Sequence, residues 1–135
     1  MAKRKTKPYP ASLRELMASK TAVLMKAQTF AEMGMAETAQ PLWAAAAASE
    51  ERIAPLRDAL GRTMEAAASR ISAASCYQQA GDPSRGANLY QAAQAAPLRP
   101  TTRRNVEGML SRCLDELSRT ALNGSICASR STGSA

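Results

Sequence analysis

The stretch Ile71 to Pro97, ISAASCYQQAGDPSRGANLYQAAQAAP, constrains the fold more than any other. It reads as helix, tight turn, helix. Gly81 ends the first arm because glycine tolerates positive φ. Asp82 caps the second arm, and Pro83 suits its first position, where no N–H is needed. Small residues stand where the two helices would touch, and each arm carries one tyrosine, Tyr77 or Tyr90. No stretch of the chain alternates with period two, so strands are not expected.

The remaining segments follow from caps and periodicity. Met1 to Pro10 is basic and holds two prolines, which predicts a disordered arm over residues 1–11. Ser12-Leu13-Arg14-Glu15 is a capping-box pattern opening a helix over 12–33, with an apolar face at Leu13, Leu16, Met17, Leu24, Ala27 and Ala31. Gly34 stops it. Thr38 as N-cap places Pro41 in the first turn of a second helix, 38–52. Ala54 before Pro55 is biased out of helical geometry, so a third helix is predicted from Pro55, over 55–80, with the stripe Leu56, Leu60, Met64, Ala67, Ile71 and Ala74. A fourth spans 83–95. A fifth, 102–122, carries Val106, Met109, Leu110, Cys113, Leu114 and Leu117, and Asn123-Gly124 closes it. The Ser/Gly-rich stretch 123–135 is predicted disordered, so the folded domain is 12–122.

Composition narrows the chemistry. The chain has no histidine, which removes histidine-based triads and most zinc sites. Cys76, Cys113 and Cys127 are odd in number and form no CxxC pair, so they read as reduced thiols of a cytoplasmic protein. The carboxylate pairs Glu50-Glu51 and Asp115-Glu116 diverge by about 100° on a helix and form no dyad. No phosphate loop or nucleophile elbow occurs. The methionines at 17, 25, 33, 35, 64 and 109 read as core, with an adaptable groove lining as the other use. No apolar run is long enough to span a membrane. An enzyme, a metal, a cofactor and a small-molecule substrate are therefore not expected.

The net charge is +7, and Lys3, Arg4, Lys5 and Lys7 supply four of the positive charges. Arg99, Arg103 and Arg104 form a second basic cluster at the start of the fifth helix, where acids are preferred. These seven residues are candidate contacts to an anion or a nucleic acid.

An internal offset of 47 residues relates Phe30 to Tyr77, Gly34 to Gly81, Trp43 to Tyr90 and Ala46 to Ala93. It also relates Leu13 to Leu60, Met17 to Met64, Ala27 to Ala74 and Leu42 to Leu89. Phe30, Gly34, Ala39, Trp43, Ala46 and Tyr77, Gly81, Gly86, Tyr90, Ala93 share one spacing. This pattern resembles the tetratricopeptide repeat, although that family's period is ~34 residues. The extra residues lie between Ser49 and Leu60.

The resemblance implies an all-α fold: two antiparallel helical hairpins stacked as a short right-handed array, with a C-terminal capping helix. It implies a non-enzymatic interaction module or accessory subunit. The ligand groove, lined by the first helix of each hairpin, would comprise Thr21, Leu24, Met25, Gln28, Ala68, Ser72, Ser75 and Gln79. Lysine, arginine and asparagine are missing from it, so the family's clamp for acidic C-terminal peptides is not expected. An apolar or helical segment of another protein is the expected ligand. The alternatives are a nucleic-acid-associated accessory protein acting through the basic arm, and a homo-oligomeric structural protein docking through an overhang of the third helix.

Overall fold

The computed structural model describes residues 8–132, with side chains through residue 123. Its five α-helices are α1 (Ala11–Glu32), α2 (Ala36–Ala59), α3 (Thr63–Gln79), α4 (Pro83–Ala93) and α5 (Pro100–Thr132). No strand occurs among the described residues. Packing runs along the chain: α1 on α2, α2 on α3, α3 on α4 and α4 on α5. Lys3, Arg4, Lys5 and Lys7 lie outside the described residues, as does the side chain of Cys127.

Three chain reversals are built alike. Gly34, Gly61 and Gly81 take φ of 78°, 75° and 82°. Beyond each glycine an N–H reaches five residues back, Met35 to Phe30 at 2.9 Å, Arg62 to Arg57 at 2.9 Å and Asp82 to Tyr77 at 2.8 Å. The glycine N–H bonds the carbonyl three residues back. Both bonds satisfy carbonyls that a helix end would otherwise leave open. α4 then starts as its residues predict, with Asp82 accepting from the Arg85 N–H at 3.2 Å and Pro83 in first place.

The second helix departs from expectation. It is neither begun at Thr38 nor ended at Arg52, but runs unbroken from Ala36 through Pro41 and Pro55 to Ala59. An interior proline removes one backbone bond and crowds the carbonyl four residues earlier. Those carbonyls belong to Glu37 and Glu51, which are exposed along with both prolines, so water can replace the lost partners. The opposite face buries Ala39, Ala46, Ala47, Ile53 and Ala54, which holds the helix against its neighbours. The third helix accordingly starts at Thr63 and not at Pro55. Leu56 lies in the last turn of α2 and Leu60 just past its end, and with Met64 they are exposed and not a buried stripe. The overhang expected of the third helix does not exist.

The ends of the chain also differ. α1 begins at Ala11 with no side-chain cap, and the Arg14 N–H bonds the Pro10 carbonyl at 3.0 Å. Ser12 is thus inside the helix and the capping box is not formed. Part of the expected disordered arm is ordered: the Tyr9 ring stacks on the Arg62 guanidinium at 4.1 Å and lies 5.4 Å from that of Arg57. α5 passes through Asn123-Gly124 to Thr132. A single glycine costs a helix about 1 kcal/mol, too little to stop one flanked by Ala121, Leu122 and Ile126.

The core is made of alanine and a few larger side chains. One cluster joins Ala67 and Ala74 of α3, Ala87 and Tyr90 of α4, Leu98, and Val106 and Cys113 of α5. The other joins Ala46 and Ala47 of α2 with Cys76 and Tyr77 of α3. Gly86 marks the closest approach. A Cβ there would sit 3.2 Å from the Ala74 carbonyl and 3.4 Å from Cys113 Sγ. Small residues thus bring α3, α4 and α5 together, and Tyr90 fills the space beside them.

Candidate functional site

α1 and α3 flank α2, and a concavity of about 300 Å³ opens between them. Leu24 and Gln28 of α1 form one wall, Ser72, Ser75, Cys76 and Gln79 of α3 the other, and Trp43 of α2 joins them. Five of the expected groove residues are therefore brought together: Leu24, Gln28, Ser72, Ser75 and Gln79. Thr21, Met25 and Ala68 are exposed but do not line it. Thr21 donates its hydroxyl to the Met17 carbonyl at 3.0 Å, and Met25 stands 61% exposed. Trp43, which shares the repeat spacing with the buried Tyr90, is half-buried and reaches the groove.

Beneath the groove the chemistry is quiet. Cys76 is buried, and loss of hydration pushes its thiol up to about 11, helped by the nearby Glu50 carboxylate. A thiol held neutral is a poor nucleophile. Glu50 is buried and paired with Lys20 at 3.6 Å, tying α2 to α1. Its neighbour Glu51 turns toward α3 and accepts a short hydrogen bond from the Tyr77 hydroxyl. The two carboxylates diverge as helical neighbours must. Burial, then the bond to Glu51, raises the Tyr77 phenol above its ordinary value, and Arg85 of α4 lies 5.5 Å from its ring.

The methionines divide. Met17 and Met109 are half-buried, whereas Met25, Met33, Met35 and Met64 are exposed and so are not core. The basic cluster at the start of α5 divides too. Arg103 donates to the carbonyls of Gln94 at 3.2 Å and Ala96 at 2.9 Å. It neutralises the open carbonyl end of α4, and this accounts for an arginine at a helix start. Arg103 is therefore a structural cap and not a free contact. Arg99 and Arg104 are exposed.

Sequence reasoning missed a feature on α5. Arg104, Asn105, Gly108, Met109 and Arg112 line an open notch of about 420 Å³. The glycine inside a helical pattern, with arginines four residues to each side, was the available signal. No helix among the described residues is long and apolar enough to cross a membrane. Comparison of the chain with family models, curated proteins and solved structures returned no match.

Proposed function

We propose that this chain is a non-enzymatic, cytoplasmic interaction module, a short tetratricopeptide-like array whose groove between α1 and α3 binds a helical segment of a partner protein. The observation that carries this reading is Trp43. A half-buried tryptophan in a concavity offers a large, rigid contact that the fold has not used up, and such aromatics anchor interfaces. Around it Gln28, Ser72, Ser75 and Gln79 supply hydrogen-bonding groups without net charge, as suits an amphipathic helix laid with its apolar face on Leu24 and Trp43. The 47-residue offset, the matching turns at Gly34 and Gly81, and the buried small residues Ala39 and Gly86 support the repeat assignment.

Trp43 is the chain's one tryptophan, so its emission reports on the groove directly. A segment captured from the native source by the wild-type chain should shift that emission when titrated back. Leu24→Glu should weaken binding more than tenfold, about 1.4 kcal/mol, when compared with wild type at a temperature where both remain folded. A captured segment that leaves Trp43 emission unmoved and binds Leu24→Glu normally sinks the groove reading.

A further inference from the structure

We propose that α5 carries a site for the sugar–phosphate backbone of a nucleic acid, formed by Arg104, Asn105, Gly108 and Arg112. It lies on a different helix from the groove and is independent of the function assigned there.

Gly108 is the starting point. Glycine is the poorest helix-interior residue after proline. At Gly86 the fold explains it, because neighbouring atoms leave a Cβ little room. At Gly108 a Cβ would meet nothing within 4 Å. Among the described residues nothing calls for bare backbone there, whereas a ligand pressed against the helix does.

The flanking charges identify that ligand. Arg104 and Arg112 sit one turn before and after the glycine, about 12 Å apart along the axis. Both are exposed, and neither makes an ion pair or hydrogen bond among the described residues. Arg103, next in sequence, is consumed by the end of α4, whereas Arg104 and Arg112 face outward on either side of the glycine. Guanidinium forks match phosphate oxygens in pairs. Asn105 adds an amide at the same notch. An acidic protein helix would need an apolar seam beside the charges. The notch has only Met109, which is half-buried with its sulfur 3.3 Å from the Tyr90 hydroxyl. Leu114 is exposed, but two residues past Arg112 it stands roughly 200° around the helix. The grip is therefore by charge and close backbone approach. The net charge of +7 draws a polyanion from a distance.

The test is fluorescence anisotropy of the full chain with a labelled single-stranded oligonucleotide and with a duplex, across a salt series. Wild type should bind at least one of them. Arg104→Ala/Arg112→Ala keeps the four cations of residues 3–7. It should bind more than tenfold more weakly, with a log–log salt slope shallower by roughly 1.4 on the single strand. Gly108→Leu keeps every charge and favours helix, yet should also lose more than tenfold by filling the notch. Circular dichroism should show both variants as helical as wild type. Failure of wild type to bind either probe overturns the proposal, as does wild-type affinity in both variants. Displacement of the oligonucleotide by polyglutamate at equal charge overturns it in favour of an acidic peptide.

Discussion

Phe30 and Trp43 share one spacing with Tyr77 and Tyr90, and the fold treats the two pairs differently. Tyr90 is 0% exposed and Tyr77 is buried, whereas Phe30 and Trp43 are half-buried. Position in the order of packed helices accounts for it. Tyr77 on α3 lies between α2 and α4, and Tyr90 on α4 lies between α3 and α5. Phe30 is on α1, an end helix with a neighbour on one side. Trp43 has helices on both sides, but α1 and α3 leave a groove beside it. Hydroxyls fit the closed pair: Tyr77 reaches Glu51, and Tyr90 reaches Gln78 at 2.5 Å. The open pair has none, and its phenylalanine and tryptophan keep part of their apolar surface exposed. The same aromatic spacing therefore gives a fully buried ring only where the neighbouring helices leave no gap beside it.

The largest expected effect lies in the closed pair. Tyr90→Ala should cost about 3–5 kcal/mol, enough to unfold a domain of this size. Phe30→Ala should cost about 1–2 kcal/mol, because it gives up less buried surface. Equal denaturant midpoints for the two variants would erase the distinction. Gly86→Val comes next. It drives a side chain against the Ala74 carbonyl, and should lower stability by about 1–3 kcal/mol, measurable by urea unfolding. Ala39→Val, at the corresponding place near the open pair, gives the companion value, and the contrast sharpens if it is smaller.

Alkaline pH probes the same closed region. Burial pushes Tyr90 up to about 12 and Cys76 up to about 11, from ordinary values of 10.0 and 9.0. Both are neutral when protonated, and the folded state holds the proton longer. Their contribution is complete below pH 9 and is lost as pH rises through 11 to 12. Melting temperatures should fall steadily above pH 9, and Cys76→Ala should flatten the first part of that decline by roughly 2 kcal/mol. An identical profile in the variant would place the loss elsewhere. The smallest effect concerns the N-terminal end. Tyr9→Ala removes the stack on Arg62 and should lower stability by about 1 kcal/mol. An unchanged melting temperature would mean that the segment before α1 contributes nothing.

Much of this was legible in the chain. Gly34 and Gly81 marked their turns, Asp82-Pro83 started α4 where it starts, and five of eight groove residues do line one concavity. Gly61 carried the same signal as its two counterparts, but Pro55 nearby outweighed it. A proline inside a helix is read as a break when its neighbours are unknown. Here both prolines of α2 face water, and the alanine face beneath is fastened to α1 and α3, so local cost loses to packing. Arg103 was misjudged for the same reason, since the carbonyls it caps belong to another helix end.

The sequence by itself determined that the chain is helical, where most of its reversals fall, and which positions are small enough for helices to meet. Those are properties of short windows: periodicity, glycine at positive φ, proline and aspartate at a helix start. Tertiary structure alone decided that α2 survives two prolines, that Trp43 stays half-open while Tyr90 closes, and that Arg103 turns inward while Arg104 and Arg112 face out. Each depends on whether a second helix lies over the residue, and the free energy of burying or exposing a side chain is settled by that neighbour and not by the residues beside it in the chain.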